Sequence, residues 1–211
     1  MVKRFIFDLD GTLLHCNFEK ERQYFRSVLN ENDAEKFINS FLNCLYEYED
    51  THEKYDVSVL SKFLTDKLDI NITDEMIEKW IEINTQCNDY LLDETIEVLE
   101  YLKNKNYSLV VLTNWFYKTQ ASRLNNIGIL KYFDEVFAGD TYVKPNDKSY
   151  LNAIGEYEPE ECVMIGDNII KDVLTPSKLG ITAFYYNPNN KEYDKDNIIA
   201  IDSLNRIKEM Y

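Results

Sequence analysis

Residues 5–14, FIFDLDGTLL, end an apolar run with two carboxylates one residue apart. Side chains alternate along an extended chain, so Asp8 and Asp10 face one side and Leu9 faces the other. Two carboxylates about 4 Å apart oppose each other by roughly 4 kcal/mol at an effective dielectric constant near 20. By itself the pair fits a solvated turn as well as a ligand site, but a ligand site would need a positive partner.

Other polar side chains follow apolar runs further along the chain. Thr113 and Asn114 follow SLVVL, Lys144 comes shortly after EVFA, and Asp167 and Asp172 follow CVMIG. Open α/β sheets bind ligands at the carboxyl ends of their strands. We therefore expect these side chains to meet the first pair of aspartates at one edge of a sheet.

The expected set combines a hydroxyl, an ammonium group and four carboxylates. Carboxylates are hard oxygen ligands for Mg²⁺, an ammonium group offsets phosphate charge, and a carboxylate can also act as a nucleophile. Gly11 and Thr12 add a sharp turn with backbone donors for anionic oxygens. This set predicts chemistry on a phosphoryl group with Mg²⁺ as cofactor.

The elements that position these residues alternate between strands and helices. Short runs of β-branched and aromatic residues predict strands at 3–8, 108–113, 135–138, 162–166 and 182–186. Apolar stripes predict helices at 93–104, 117–127 and 146–154. Strands that alternate with helices predict an α/β fold with a Rossmann-like, doubly wound parallel sheet.

Residues 16–88 break this alternation with amphipathic stretches near 18–29, 33–48, 57–68 and 74–87. Asp33 and Thr73 stand where N-terminal capping residues are expected. We interpret the segment as an all-helical cap domain inserted into a core domain of residues 1–15 and 89–211. The Asn-rich stretch 187–197 predicts a surface loop.

Composition narrows the possible partners and location. Among 211 residues, 45% are hydrophobic and the net charge is −15, which disfavours nucleic acid and anionic membranes as partners. No apolar run is long enough to cross a membrane and no signal peptide is evident, so we expect a cytoplasmic protein. We therefore expect reduced thiols rather than disulfides at Cys16, Cys44, Cys87 and Cys162. The sequence sets no oligomeric state and is compatible with a monomer.

The chain carries four short motifs in this order: DLDGT (8–12), LTN (112–114), KP (144–145) and GDNIIKD (166–172). Through these motifs it resembles the haloacid dehalogenase (HAD) superfamily over its full length. The helical insertion after the first motif resembles the family's C1-type cap, which contributes to substrate selection. Because the dehalogenating members lack an acid at the position of Asp10, the resemblance implies a phosphatase rather than a dehalogenase.

The resemblance also implies roles for the acidic residues. Asp8 is expected to attack phosphorus and form an aspartyl-phosphate, and Asp10 to act first as general acid and then as general base. Asp8, the backbone carbonyl of Asp10, and Asp167 are expected to hold Mg²⁺, with Asp172 acting directly or through water. Lys171 stands where the family often has another residue, and we expect it to screen Asp167 and Asp172.

For the phosphate itself, the resemblance implies four contacts. Thr113 is expected to donate to a phosphoryl oxygen and Lys144 to offset developing charge, and Asn114 adds a contact. Backbone amides around Leu9 complete the expected cradle. The substrate is expected to be a small phosphorylated metabolite, because a closing cap leaves little room for a polymer.

Two other functions stay open. One is phosphoryl transfer on a sugar phosphate, as in β-phosphoglucomutases, although 16–88 shows no basic, glycine-containing sugar loop. The other is a non-catalytic protein that accepts phosphate as a signal, which the presence of Asp10 disfavours.

Several residues near the motifs have both a structural and a substrate-binding interpretation. Trp115 and Tyr117 could contact a substrate or pack against the cap, with packing favoured. For His15 and for the loop residues His52, Lys54 and Tyr55, we favour a solvent-facing role over substrate contact.

Overall fold

Strand β1, Arg4–Phe7, lies at the centre of a six-stranded sheet in the computed structural model of the chain, which describes residues 1–86, 89–193 and 198–211. The other strands of this sheet are β4 (Ser108–Leu112), β5 (Glu135–Phe137), β6 (Cys162–Gly166), β7 (Thr182–Tyr186) and β8 (Ile199–Ile201). Their order is β5-β4-β1-β6-β7-β8 and all neighbours are parallel. The predicted Rossmann-like α/β fold is confirmed.

Helices α1–α4 follow the first strand and bury an apolar cluster of their own. They are α1 (Glu19–Val28), α2 (Glu31–Thr51), α3 (Val57–Leu68) and α4 (Asp74–Asn84). The rings of Phe25 and Phe37 stack with centroids 3.9 Å apart, and Trp80 meets Phe25 edge-on at 5.3 Å. The all-helical insertion is present, while its division from the core as a separate domain stays a prediction.

The N-terminal ends of these helices agree with the sequence in one case and differ in another. Thr73 caps α4 by accepting a hydrogen bond from the amide of Met76 (3.3 Å), as predicted. The expectation that Asp33 precedes and caps its helix is wrong, because Asn30 takes that position and accepts from the amide of Asp33 (3.1 Å). Asp33 therefore lies inside the first turn, where a negative charge still meets the positive end of the helix dipole.

The remaining helices cover the sheet, and the longer ones match the sequence closely. They are α5 (Thr95–Asn104), α6 (Tyr117–Asn126), α7 (Asp147–Ile154), α8 (Thr175–Lys178) and α9 (Arg206–Met210). Short 3₁₀ turns occur at Leu130–Tyr132 and Pro159–Glu161, and a π-helix spans Ile169–Leu174. Helices α5, α6 and α7 begin and end within two residues of the predicted bounds, so the apolar stripes were sufficient to locate them.

Two strand pairings were not predicted. Strand β8 is the apolar segment Ile199–Ile201, but it is only three residues long and two of them are exposed, which is too short for a strand pattern. Strands β2 (Leu14–His15) and β3 (Tyr90–Leu91) form an antiparallel pair where the chain leaves and re-enters the core, and two residues are too few for a sequence pattern. Of the predicted loop 187–197, residues 187–193 have no regular structure and 194–197 lie outside the described residues.

Two expectations from composition can be compared with the described part of the chain. Cys16, Cys44 and Cys162 are free thiols, and Cys87 lies outside the described residues. No helix in residues 1–86, 89–193 or 198–211 combines the length and apolar character needed to cross a bilayer.

We predict that Leu64→Ala destabilises the protein by about 2–5 kcal/mol, because the side chain is fully buried in the helical cluster and its loss leaves a cavity. Val59→Ala on the same helix is the control: Val59 is 41% exposed, so its truncation should change stability by no more than about 0.5 kcal/mol. Urea denaturation followed by circular dichroism measures both. Equal effects would contradict the packing described for the helical cluster.

Candidate active site

The polar residues at the carboxyl ends of β1, β4 and β6 line one pocket of about 220 Å³. The register brings these ends level, since Phe7 pairs with Val111 on one side and Ile165 on the other. Of the predicted site residues, the pocket wall includes Asp8, Asp10, Thr113, Asn114, Lys144, Asp167 and Asp172. The side chain of Leu9 is fully buried in the core of the sheet, and the phosphate contact expected of its backbone amide stays a prediction.

At the base of the pocket, three carboxylates crowd around a single ammonium group. One oxygen from each of Asp8, Asp167 and Asp172 lies within 4.8 Å of the others. Lys144 Nζ donates to Asp8 Oδ1 and to Asp172 Oδ1, both at 2.7 Å. One buried cation therefore faces three acidic groups, and the cluster is short of positive charge.

The pKa values of the cluster reflect this shortage. Burial raises the pKa of Asp8 well above its usual range; the Lys144 charge opposes the rise and that of Asp172 adds to it. Burial also raises the pKa of Asp167, again with help from Asp172. For Lys144, burial disfavours the charged form, but Asp172 and Asp8 outweigh it and the pKa lies above normal. A divalent cation would relieve the repulsion, so the hard oxygen donors present fit Mg²⁺.

Two glycines allow the acidic side chains to come this close. A Cβ on Gly11 would lie 2.5 Å from Asp167 Oδ2, and one on Gly166 would lie 2.3 Å from the Asp172 carboxyl. Gly11 also has a φ of +85°, which L-residues rarely adopt. The positions of these aspartates thus depend on bare backbone beside them.

Thr113 and Asn114, both predicted to contact phosphate, have different roles in the pocket wall. Thr113 Oγ1 accepts a hydrogen bond from Gln120 Nε2 (3.0 Å) and lines the pocket. Asn114 is tied to the backbone of Lys144 in both directions, accepting from its amide (2.7 Å) and donating to its carbonyl (3.0 Å). Asn114 therefore fixes the Lys144 loop, and its side-chain amide is already engaged.

Arg123 on α6 is the main site residue that the sequence did not reveal. Its guanidinium donates to both oxygens of Asp10, at 2.6 and 3.0 Å, and also to Asp89 at 2.7 Å. Burial alone would raise the pKa of Asp10, but Arg123 outweighs it and the pKa lies below normal. Cys16 Sγ adds a contact to Asp10 at 2.6 Å. The spacing of Gln120 and Arg123, one helical turn apart after Thr113, is the only sequence signal for them.

The expectation that Lys171 screens Asp167 and Asp172 is wrong. Lys171 lies in the π-helix, and its ammonium group donates to Glu49 on α2. The phenolic hydroxyl of Tyr55 donates to the same carboxylate at 2.6 Å. This buried pair joins the sheet edge to the helical insertion instead of serving the acidic cluster.

The residues with both a structural and a substrate-binding interpretation fall into two groups, those in the pocket wall and those outside it. Trp115 lines the pocket and packs on the insertion, with the Trp115 and Trp80 ring centroids 4.6 Å apart. Tyr55 lies on the insertion, is 2% exposed and also lines the pocket, so the solvent-facing role expected for it is wrong. Tyr117 is 52% exposed, His15 packs against Tyr90, and His52 stacks on Tyr48. Neither these three residues nor Lys54 belongs to the pocket wall.

The parallel sheet and the acidic pocket at its carboxyl edge place the chain among α/β enzymes. A sequence model of the haloacid dehalogenase-like hydrolases matches residues 2–180. The chain therefore belongs to the haloacid dehalogenase-like hydrolase family, which confirms the resemblance noted from its motifs.

Two similar proteins of known name are a phosphatase and a pyrophosphatase. Glyceraldehyde 3-phosphate phosphatase of Methanothermobacter thermautotrophicus is 30% identical over 127 residues, which are 55% of this chain and 56% of that protein. Pyrophosphatase PpaX of Bacillus cereus is 29% identical over 175 residues, 77% of this chain and 73% of that protein. Phosphatases among the relatives confirm the predicted enzyme class.

Solved structures support the fold over the whole chain. The putative HAD-hydrolase YfnB from Bacillus subtilis, bound to magnesium, has a TM-score of 0.74 at 18% identity and covers 99% of this chain and 98% of its own. A HAD phosphatase from Thermococcus onnurineus has a TM-score of 0.68 at 24% identity, covering 99% and 97%. At these identities the likeness concerns the fold.

We predict that Gly11→Ala weakens Mg²⁺ binding by roughly 10–100-fold, because the new methyl group displaces the Asp167 carboxylate. Gly128→Ala is the matched control: Gly128 has a similar φ of +83° but an added Cβ meets nothing within 4 Å. Isothermal titration with MgCl₂ compares the two variants. Equal affinities would contradict the claim that the position of Asp167 depends on the bare backbone at Gly11.

Proposed function

We propose that the chain is a Mg²⁺-dependent phosphohydrolase that removes phosphate from a small phosphomonoester. The observation that carries the proposal is the cluster of three carboxylates, two of them bound to one lysine, at the carboxyl edge of the sheet. Relatives named for glyceraldehyde 3-phosphate and for pyrophosphate support a small phosphorylated substrate. We also propose that 1–15 and 89–211 act as the core and 16–88 as the cap.

In this proposal, Asp8, Asp167 and the backbone carbonyl of Asp10 would hold Mg²⁺, with Asp172 acting directly or through water. The metal supplies positive charge that neutralises the carboxylates and the phosphoryl oxygens. Lys144 adds a fixed positive charge between Asp8 and Asp172. Together they let an anionic nucleophile approach an anionic phosphate.

Asp8 is the proposed nucleophile. Thr12 Oγ1 donates to Asp8 Oδ2 at 3.1 Å while Lys144 holds Oδ1, so the carboxylate is oriented from both sides. Its attack on phosphorus forms an aspartyl-phosphate and breaks the bond to the alcohol oxygen, which takes a proton from Asp10. Asp10 then removes a proton from water, and the resulting attack releases phosphate and restores the Asp8 carboxylate.

Arg123 sets the protonation state of Asp10. Because the guanidinium keeps the pKa of Asp10 below normal, this carboxyl is ionised at neutral pH. The ionised form suits the base role in the second step, and Asp10 must take up a proton before it can act as the acid of the first. Arg123 and Asp89 also fix the direction of the Asp10 carboxylate.

The proposed cap closes the pocket through contacts that are both polar and aromatic. The amide of Tyr55 donates to the carbonyl of Gly139 (2.7 Å), and Thr119 Oγ1 donates to the carbonyl of Ile81 (3.1 Å). A Cβ at Gly139 would lie 2.7 Å from the Tyr55 ring, so this approach requires glycine. Turnover then requires the cap to open for exchange of substrate and product.

We predict that Asp8→Asn abolishes Mg²⁺-dependent hydrolysis of p-nitrophenyl phosphate and that Asp10→Asn lowers kcat roughly 10²–10⁴-fold through loss of the acid and base. Asp50→Asn, at an exposed position of α2, controls for the loss of one negative charge. Released phosphate measures turnover.

Other results would point elsewhere. A stable phosphoprotein without turnover would favour the signalling function. Isomerisation of glucose 1-phosphate without net phosphate release, with a bisphosphate primer present, would favour the mutase.

A further inference from the structure

Two polar atoms in the pocket wall lack a partner. Glu21 Oε2 and Trp115 Nε1 are both buried without a hydrogen bond among the described residues. Their residues are only 4% and 9% exposed, and both line the pocket. Buried polar groups are nearly always paired in folded proteins. One unpaired acceptor and one unpaired donor on the same wall therefore indicate what a ligand has to supply.

Both residues contact the Trp80 indole. Trp80 Nε1 donates to Glu21 Oε1 at 3.4 Å, which leaves Oε2 as the free oxygen. Trp80 also packs against the Trp115 ring at 4.6 Å between centroids. The free acceptor and the free donor therefore belong to one connected group of side chains.

The electrostatics of the wall limit the charge of the ligand. Seven acidic and three basic side chains line the pocket: Asp8, Asp10, Glu21, Glu49, Asp89, Asp167 and Asp172, against Arg123, Lys144 and Lys171. Each of the three basic groups is already in an ion pair with one or two of these acids. Within the described wall, no basic side chain is left for a second anionic group on the substrate.

Three kinds of functional group can be compared with this wall. A carboxylate or second phosphate accepts hydrogen bonds, so it could use Trp115, but it has nothing to donate to Glu21 and meets excess negative charge. An ammonium group donates to Glu21 but offers no acceptor to Trp115. Of these three groups, only a hydroxyl both donates and accepts, so it is the one that matches both free atoms.

We propose that the substrate is a phosphomonoester of an uncharged, hydroxyl-bearing alcohol, a polyol or sugar, with Glu21 and Trp115 as its specificity residues. The inference rests on the proposed function and deepens it. Glu21 Oε2 accepts from a substrate hydroxyl, and Trp115 Nε1 donates to a hydroxyl oxygen.

The surroundings of Glu21 agree with an uncharged ligand. Burial raises its pKa to about 7, against hydrogen bonds from Trp80 and Asn84 that lower it. Its negative charge is therefore poorly solvated, and a hydroxyl donor compensates for the missing water. The rings of Phe41 and Trp80 also line this wall and offer apolar faces to the C–H groups of a carbon skeleton.

The test compares four phosphomonoesters at equal Mg²⁺. Glycerol 1-phosphate carries two hydroxyls that propyl phosphate lacks on the same three carbons, phosphoglycolate carries a carboxylate, and O-phosphoethanolamine carries an ammonium group. We expect kcat/KM for glycerol 1-phosphate to exceed that for each of the others by roughly tenfold or more.

Variants then assign the preference to the two residues. Glu21→Met and Trp115→Phe should each lower the ratio of kcat/KM for glycerol 1-phosphate over propyl phosphate several-fold. Glu19→Met, at an exposed position of the same helix, should leave this ratio unchanged. Should Glu21→Met fail to fold by circular dichroism, Trp115→Phe decides alone.

The outcomes separate the two proposals. If propyl phosphate, phosphoglycolate or O-phosphoethanolamine is hydrolysed as well as glycerol 1-phosphate, or if both variants keep the wild-type ratio, the specificity proposal is overturned while the phosphohydrolase stands. If none of the four releases phosphate while p-nitrophenyl phosphate is hydrolysed, the specificity proposal alone is overturned. If p-nitrophenyl phosphate is not hydrolysed either, the proposed function falls and the specificity falls with it.

Discussion

The ammonium group of Lys144 is the contact on which the rest of the pocket depends. It bridges Asp8 and Asp172 at 2.7 Å each in a nearly water-free setting, with Asp167 close by. Buried charges are tolerated only when they are paired. Because one cation cannot satisfy three carboxylates, the cluster favours a second cation, and this imbalance links the fold to the proposed chemistry.

The parallel sheet creates the imbalance. Strand β1 lies between β4 and β6 with their ends in register, so polar residues that are far apart in sequence arrive at one edge. Gly11 and Gly166 remove the side chains that would hold the aspartates apart. The helical insertion supplies the opposite wall and is held there by the Lys171–Glu49 pair and by the packing of Trp115 on Trp80.

How far the sequence predicts such a site depends on which element carries each residue. Asp8, Thr113 and Asp167 directly follow apolar strands, and a strand's end fixes where the next side chain goes, so their convergence was predictable. Arg123 and Glu21 lie on helices, where the side that faces the pocket depends on how each helix packs. Lys171 binds Glu49 instead of screening Asp167 and Asp172, because it lies in a π-helix that faces the insertion. The local sequence contains no pattern that predicts a π-helix.

The most direct test of this account is a crystal structure grown with Mn²⁺ in place of Mg²⁺, read from anomalous scattering at the manganese edge. We predict one strong anomalous peak within about 2.5 Å of carboxylate oxygens of Asp8 and Asp167, with Lys144 still bound to Asp8. A map without a peak between those two aspartates, or with the ion bound elsewhere on this acidic surface, would contradict the account.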